Sequence, residues 1–257
     1  GVVDSKDLPL SISREKSQDK RLLAKIQDVV VRKLLRYLQD QAKRDRDKYL
    51  KWYQEFNMFL KEGACHDASR RTEVAKLLYF DSSKEGGLTS LDEYVSRDAS
   101  EDEKIYYLHA PTRELALASP YYEQFKKNKR ECLFVYNAID DFVMSNLREH
   151  NGRAIVTAEA ADFGSTDEKE EEKEDKAPSA DALSTADSDK LKAWLLATLP
   201  DRLESVEATD KLVSSPAVVV DAESGAMRRM MAMVAQQADG GALPPLPPQK
   251  LRLNVAH

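Results

Sequence analysis

KIYYLHAPTRELALASPYYEQFKKNKRECLFVYNAIDDFVMSNLREHNGRAIV, residues 104–156, alternates two kinds of apolar pattern. Ile105-Tyr106-Tyr107-Leu108 is an apolar run of strand length, Thr112 to Lys127 carries helical spacing with a fresh start at Ser119-Pro120, and Cys132-Leu133-Phe134-Val135-Tyr136 is a second short run. Ile139 to Glu149 gives another helix, and Ala154-Ile155-Val156 a third strand. Strand, helix, strand, helix, strand predicts a small parallel βαβαβ sheet with right-handed crossovers. Ser119 and Pro120 are expected as N-cap and first helical residue, because the N–H that proline lacks is not needed in a first turn.

Upstream the period is helical. Leu23, Ile26, Val30, Leu34, Tyr37 and Leu38 recur at steps of three and four, which predicts an amphipathic helix with those residues inward. Lys20 to Lys51 holds eleven Lys and Arg against four Asp. We read that charge as the solvated face of the helix rather than as a nucleic-acid surface. A second helix carries Tyr49, Trp52, Tyr53, Phe56, Phe59 and Leu60 and is expected to end before Gly63, its aromatic stripe serving as helix-on-helix core.

Downstream, Asp167 to Asp175 (DEKEEEKED) has seven acids and two bases, so it carries −5 of the net charge of −6. With Ala177-Pro178-Ser179-Ala180 following and no apolar period, it reads as a solvated linker over 164–186. Beyond it, Asp189 to Leu199 is expected as a helix with Leu191, Trp194, Leu195 and Leu199 inward, and Val206 and Pro216 to Val220 suggest strands. Met227, Met230, Met231 and Val234 then fall at i, i+3, i+4 and i+7 of one helical face. Such a face can be ordinary core or an adaptable binding surface, since thioethers are flexible and polarisable. The loop Gly240 to Pro248 (GGALPPLPP) cannot be regular helix. The expected class is therefore mixed α/β in several domains: a helical pair, the βαβαβ unit and a smaller α+β domain.

With 257 residues, 42% of them hydrophobic, the chain can build one large or two medium cores. No run approaches the roughly 18 apolar residues of a membrane-spanning helix, and no membrane or nucleic-acid partner is expected. Cys65 and Cys132 lack metal-ligand spacing and read as reduced thiols. His66, His109, His150 and His257 form no metal-binding pattern. There is no GxxxxGK[ST] loop, no GxGxxG after a strand and no nucleophile elbow, so no catalytic site is complete within this sequence. The chain opens at Gly1 rather than Met and closes on an apolar stretch, which reads as a piece of a longer protein.

One segment stands apart: Gly1-Val2-Val3-Asp4-Ser5-Lys6-Asp7-Leu8-Pro9-Leu10-Ser11-Ile12-Ser13-Arg14-Glu15, with Gln18 one turn beyond Arg14. It resembles the middle-domain catalytic loop of the ninety-kilodalton heat-shock chaperones, GVVDSxDLPLNxSRExxQ. Ser11 replaces an Asn, and Lys16-Ser17 replace two apolar residues. Leu88 to Tyr94, Ile105 to Leu108, Ser119 to Glu123 and Leu253 to His257 follow in the family's order. HAPTRELALASPYYE and LKAWLLATL look most like the mitochondrial, tumour-necrosis-factor-receptor-associated branch.

The resemblance implies that Arg14 touches the γ-phosphate of ATP held with Mg2+ by a separate N-terminal domain of the same chain, with Gln18 in support. A guanidinium suits this role, being a planar fork of donors that keeps its charge. It also implies client-protein binding at Met227, Met230, Met231 and Val234, with Met230 and Met231 exposed. In the family the corresponding helix reads Asn-Met-Glu-Arg-Ile-Met, where this chain has Ala226-Met227-Arg228-Arg229-Met230-Met231. A homodimer in the parent protein and residence in mitochondria, otherwise the cytoplasm, are further implications. The domain division would be 1–163 (catalytic loop 1–19, helical segment 20–103, α/β unit 104–163), linker 164–186, and a C-terminal domain 187–257 without the terminal dimerisation helices. A nucleotide-independent adaptor using the methionine face is the alternative that the residues alone leave open.

Overall fold

The computed structural model describes residues 20–84, 86–97, 104–161, 183–209, 212–220, 248–255 and 257. By internal contacts the chain divides into two units, parting at Leu60 and Lys61.

The first unit is helical. Helix α1, Lys20–Arg44, is followed after one residue by α2, Arg46–His66. At the break the Asp45 N–H bonds the Gln41 carbonyl at 2.9 Å and the Tyr49 N–H bonds the Asp45 carbonyl at 3.0 Å. Asp45 also accepts the Lys48 N–H on its side chain at 3.1 Å, as a residue opening a new helix does.

The apolar row expected inward on α1 is largely outside: Leu23, Val30 and Leu34 are exposed and Tyr37 is 58% exposed, while Leu35 and Leu38 are buried. The helix carries three stripes, one covered through Leu35 and Leu38, one basic through Lys25, Arg32, Arg36 and Lys43, and the exposed apolar row. Leu38 was the one member of the predicted row that belongs to the covered stripe. On α2 Tyr49 and Tyr53 are buried and Trp52 half-buried, but Phe56 is exposed and Phe59 70% exposed, so the aromatic stripe is core at one end only. Trp52 and Phe56 stack at 5.5 Å between ring centroids. The helix also runs through Gly63 to His66, since one glycine weakens a helix by only about 1 kcal/mol.

The second unit is built on a six-stranded sheet. Its strands are β1 (Tyr79–Ser82), β2 (Thr89–Ser90), β3 (Lys104–His109), β4 (Leu133–Val135), β5 (Glu149–His150) and β6 (Arg153–Thr157), in spatial order β2-β1-β4-β3-β6-β5. The predicted parallel core is present: β3 lies between β4 and β6 and is parallel to both. Its connections are α5 (Arg113–Leu117) with α6 (Pro120–Lys127), and α7 (Ala138–Leu147). Ile105, Tyr106, Tyr107 and Leu108 are all buried, as a central strand covered on both faces must be. On one face Tyr106 and Phe134 meet Tyr122 and Phe125 of α6 in edge-on ring contacts of 5.1 and 5.4 Å. On the other, the Tyr107 hydroxyl donates to Asp141 of α7 at 3.1 Å.

The sheet as a whole is mixed, not purely parallel, because β1, β2 and β5 pair antiparallel. Strands β1 and β2 fall within 20–103, expected to be helical; four and two residues are too few to display a period of two. Two short helices precede and follow them in the chain, α3 (Arg71–Ala75) and α4 (Leu91–Arg97). Pro120 opens α6 as predicted, yet the Ser119 side chain makes no capping bond.

A second, three-stranded sheet follows helix α8, Thr185–Thr198. Ser184 caps α8 by accepting the Asp187 N–H at 3.1 Å, so the helix begins inside the stretch expected as linker. Trp194 and Leu199, expected inward, are exposed. Ser188, Leu191 and Leu195 form the covered row, and Trp194 lies about 100° of helical turn away from Leu195. Strands β7 (Leu203–Thr209), β8 (Ala217–Val220) and β9 (Gln249–Asn254) are ordered β7-β9-β8, with β7 parallel and β8 antiparallel to β9.

The six-stranded unit closes around Glu131, 3% exposed at the entry to β4. Its carboxylate accepts Ser82 Oγ at 2.7 Å, Arg97 Nη2 at 2.6 Å and Arg97 Nε at 3.2 Å, with Lys84 Nζ at 3.3 Å. Burial disfavours the charge, but the bonds from Arg97 and Ser82 and the charges of Arg97 and Lys84 outweigh it and hold the carboxyl below 4.5. A carboxyl depressed in the folded state contributes stability above its unfolded value, lost as pH falls through the folded one. Arg97→Met is expected to cost about 3 kcal/mol in denaturant unfolding by stranding the carboxylate. Measured from pH 7 to pH 3, the stability gap between the native chain and Glu131→Gln should narrow below 4.5; a constant gap would show that the charge has no role.

Candidate functional site

Arg14 and Gln18 precede the first described residue, Lys20, and Met227, Met230, Met231 and Val234 fall between Val220 and Pro248; all six lie outside the described residues. What the structure gives is the frame at their borders. Helix α1 starts two residues after Gln18. Val220, the last residue of β8, pairs with Lys250 near the start of β9, so the chain enters and leaves the methionine-bearing stretch at adjacent positions of one sheet end.

Among the described residues no group of three or more His, Cys, Asp or Glu is placed to hold a metal ion. No described helix is long and apolar enough to cross a membrane. Both cysteines are free thiols. Burial raises the Cys132 thiol well above its ordinary value and also raises that of Cys65, where the nearby Arg71 charge opposes the effect. Neither is poised as a nucleophile, which needs a thiolate.

The C-terminal ends of parallel strands are where open α/β sheets usually bind ligands. Here that edge is filled from within. Arg113 Nη1 donates to Asp81 Oδ1 and to the Ser82 carbonyl, both at 2.7 Å, and its guanidinium lies 5.6 Å from the centre of the Phe134 ring. The Tyr136 hydroxyl donates to the other Asp81 oxygen. Burial, then Asp81, raises the Tyr136 phenol well above its ordinary value, so it stays protonated as a donor. Each group satisfies another, and the arrangement closes the crevice instead of opening a site.

The most developed polar constellation lies where α6 meets the three-stranded sheet. Glu123 accepts the Val213 N–H at 2.9 Å, the Ser214 N–H at 3.2 Å, Ser214 Oγ at 2.8 Å and Ser215 Oγ at 2.5 Å. Burial opposes its charge, but these bonds prevail and hold the carboxyl below its usual value. Two residues earlier, the Tyr121 hydroxyl donates to the Val219 carbonyl at 2.6 Å. Beside them is a cavity of about 80 Å³ lined by Tyr121, Gln124, Phe125, Leu212, Val218 and Arg252, among others. Sequence reasoning missed this site, and no local pattern could have found it, since Glu123 and Ser214 stand 91 residues apart.

Comparison with known proteins matches most of the chain to one family. The family described as Hsp90 protein matches residues 1–245. A mitochondrial TNF receptor-associated protein 1 homolog from Dictyostelium discoideum is 37% identical over 265 positions, covering 100% of this chain and 36% of that protein. A chaperone protein HtpG from Desulfitobacterium hafniense is 37% identical, covering 100% of this chain and 41% of that protein. The mitochondrial heat shock protein 75 kDa of Rattus norvegicus is 38% identical over 91% of this chain and 33% of its own length. The chain thus spans between a third and about two fifths of these relatives.

The Asp81 cluster should act on stability alone. Arg113→Ala is expected to lower unfolding free energy by about 1 to 2 kcal/mol and Tyr136→Phe by about 1, read from denaturant midpoints at constant slope.

Proposed function

The chain belongs to the Hsp90 protein family, and from that membership we propose that it is the middle-to-C-terminal part of an ATP-driven molecular chaperone. The observation that carries this reading is that the family match runs from residue 1 to 245 and so includes both GVVDSKDLPLSISREKSQ and the methionine-bearing stretch. In this reading Arg14 presents its guanidinium to the γ-phosphate of a nucleotide held, with Mg2+, by an N-terminal domain of the same protein, and Gln18 supports it. The donor chemistry fits, because an arginine fork matches phosphate oxygens and cannot be deprotonated. When bound, the nucleotide supplies the phosphoanhydride whose hydrolysis drives the chaperone cycle. This chain's own part is to deliver a fixed positive charge.

Met227, Met230, Met231 and Val234 form the client-binding face, and the parent protein acts as a homodimer. The division into a middle domain over 1–163, a linker over 164–186 and a C-terminal domain over 187–257 belongs to the same proposal. Mitochondrial residence is favoured by the names of the Dictyostelium and rat relatives, whereas the bacterial ones are called HtpG.

In the parent chain with its N-terminal domain, Arg14→Ala is expected to lower steady-state ATP turnover at least about tenfold, or about 1.4 kcal/mol, with nucleotide affinity changed much less. Unchanged turnover would overturn the role of Arg14. Met230→Ser with Met231→Ser should weaken suppression of client aggregation while leaving turnover near native, and unaltered suppression would remove the client face.

A further inference from the structure

Helix α7 runs into β5 with a single residue between them. Leu147 is the last residue of the helix, Arg148 carries φ 59° and ψ −37°, and Glu149 already begins the strand. Both backbone groups of Arg148 are engaged, its N–H with the Met144 carbonyl at 3.1 Å and its carbonyl with the Ile155 N–H at 2.7 Å. The abrupt passage from helix to strand therefore requires the positive φ. Glycine adopts it freely, and helices commonly end on glycine for that reason. Any other residue is strained there, the more so because ψ is far from the left-handed helical value of about +47°. The chain nevertheless carries an arginine at this point.

Arg148 lines a cavity. About 340 Å³ of space lies between the last turns of α7 and β6, bounded by Tyr107, Met144, Ser145, Arg148, Ile155 and Thr157, among others. That volume falls within the range of small-ligand sites, about 300–1,000 Å³. Tyr107 and Met144 are buried, Ile155 and Thr157 half-buried, and Ser145 and Arg148 exposed, so the cavity opens to solvent on the side of the arginine. Arg148 is the only charged residue of the lining among the described residues. Asp141, a carboxylate of the same helix, accepts the Tyr107 hydroxyl at 3.1 Å and does not line the space. Among the described residues the Arg148 guanidinium has no hydrogen bond or ion pair, and neither has the Ser145 hydroxyl one turn away.

We propose that this cavity binds a small monocarboxylic acid with an apolar body. The carboxylate meets the Arg148 guanidinium, whose fork of donors matches its two oxygens, and the Ser145 hydroxyl, while the apolar part rests on Met144 and Ile155. An apolar cavity of about 150 Å³ holds benzene, so a ligand of roughly a dozen non-hydrogen atoms fits here. The strained backbone at Arg148 is then explained by its side chain, which glycine would not supply. The site follows from the cavity and the arginine, and stands whether or not Arg14 serves ATP hydrolysis.

The test uses the whole 257-residue chain, methyl-labelled at methionine and isoleucine, with phenylbutyrate as the probe. Saturable shifts are expected at the Met144 and Ile155 methyl resonances, with a dissociation constant of about 1 mM or below. Phenylbutyramide, of the same size but uncharged, should bind about tenfold more weakly, and so should phenylbutyrate to Arg148→Gln. Arg148→Lys keeps the charge without the planar fork and should retain part of the affinity. Arg148→Gly separates ligand binding from stability: it should raise the midpoint of denaturant unfolding and lose the probe. No saturable shift at Met144 and Ile155, equal binding of the amide, or undiminished affinity in Arg148→Gln would overturn the site. So would a lowered midpoint for Arg148→Gly, which would show that the arginine is kept for stability. If the Arg148 variants do not fold, Ser145→Leu fills the open side of the cavity and is read the same way: lost binding with native unfolding supports the site, and unchanged binding refutes it.

Discussion

A buried carboxylate must be answered by donors, and the whole α/β body is arranged to answer Glu131. An uncompensated ion in this interior would cost several kcal/mol. Its donors come from widely separated places: Ser82 at the end of β1, Lys84 just beyond, and Arg97 at the end of α4. Arg97 also reaches Thr89 Oγ1 of β2 at 3.1 Å, and the Glu131 carbonyl receives the Tyr94 hydroxyl of α4 at 2.9 Å. That hydroxyl in turn accepts the Tyr106 N–H at 3.2 Å, so the chain of bonds runs from the sheet's edge to its central strand. The antiparallel pair β1 and β2 is too short to hold itself in place. It stays because the carboxylate gathers it in.

Helix α1 makes a related point about surfaces. A helix in a two-layer fold needs one apolar stripe, but α1 has a covered one and an exposed one, separated by basic residues. Periodicity detects an apolar row and says nothing about which row is covered. The exposed row through Val30, Leu34 and Tyr37 is the longer and more regular of the two, so it captured the sequence reading. The covered Leu35 and Leu38 were legible only as its neighbours.

What the sequence made visible follows from the range over which each feature is encoded. The β3-α5/α6-β4-α7-β6 core was legible because every element there is a local pattern with a break at each end. Strands β1 and β2 were not, since four and two residues are too few to display a period of two. Their membership in the sheet depends on Asp81 pairing opposite Phe134 and Ser82 opposite Leu133, some fifty residues away. The start of α8 was missed because Ser184 sits at the end of a charged, low-complexity run. Of the candidate site, Arg14, Gln18 and the methionines rested on resemblance and lie outside the described residues. Glu123 and its loop are invisible in sequence because no residue near Glu123 encodes the donors that meet it.

Glu131 and Glu123 use the same chemistry in different surroundings. Each is a carboxylate held below its usual pKa, against the cost of burial, by several converging donors. Around Glu131 the donors are Ser82, Lys84 and Arg97, from two stretches of the chain, and the Tyr94 hydroxyl of α4 bonds its carbonyl. Arg97 makes two of these bonds, so its removal weighs most. Around Glu123 the donors come from one loop, on one sheet, beside a cavity. The Tyr121 hydroxyl on the Val219 carbonyl joins the same two elements. Hydrogen bonds to a charge are strong in either setting, but only close packing makes them cooperative with the rest of the fold. The first arrangement ties the ends of β1 and α4 to the entry of β4, and the second ties α6 to the loop that precedes β8.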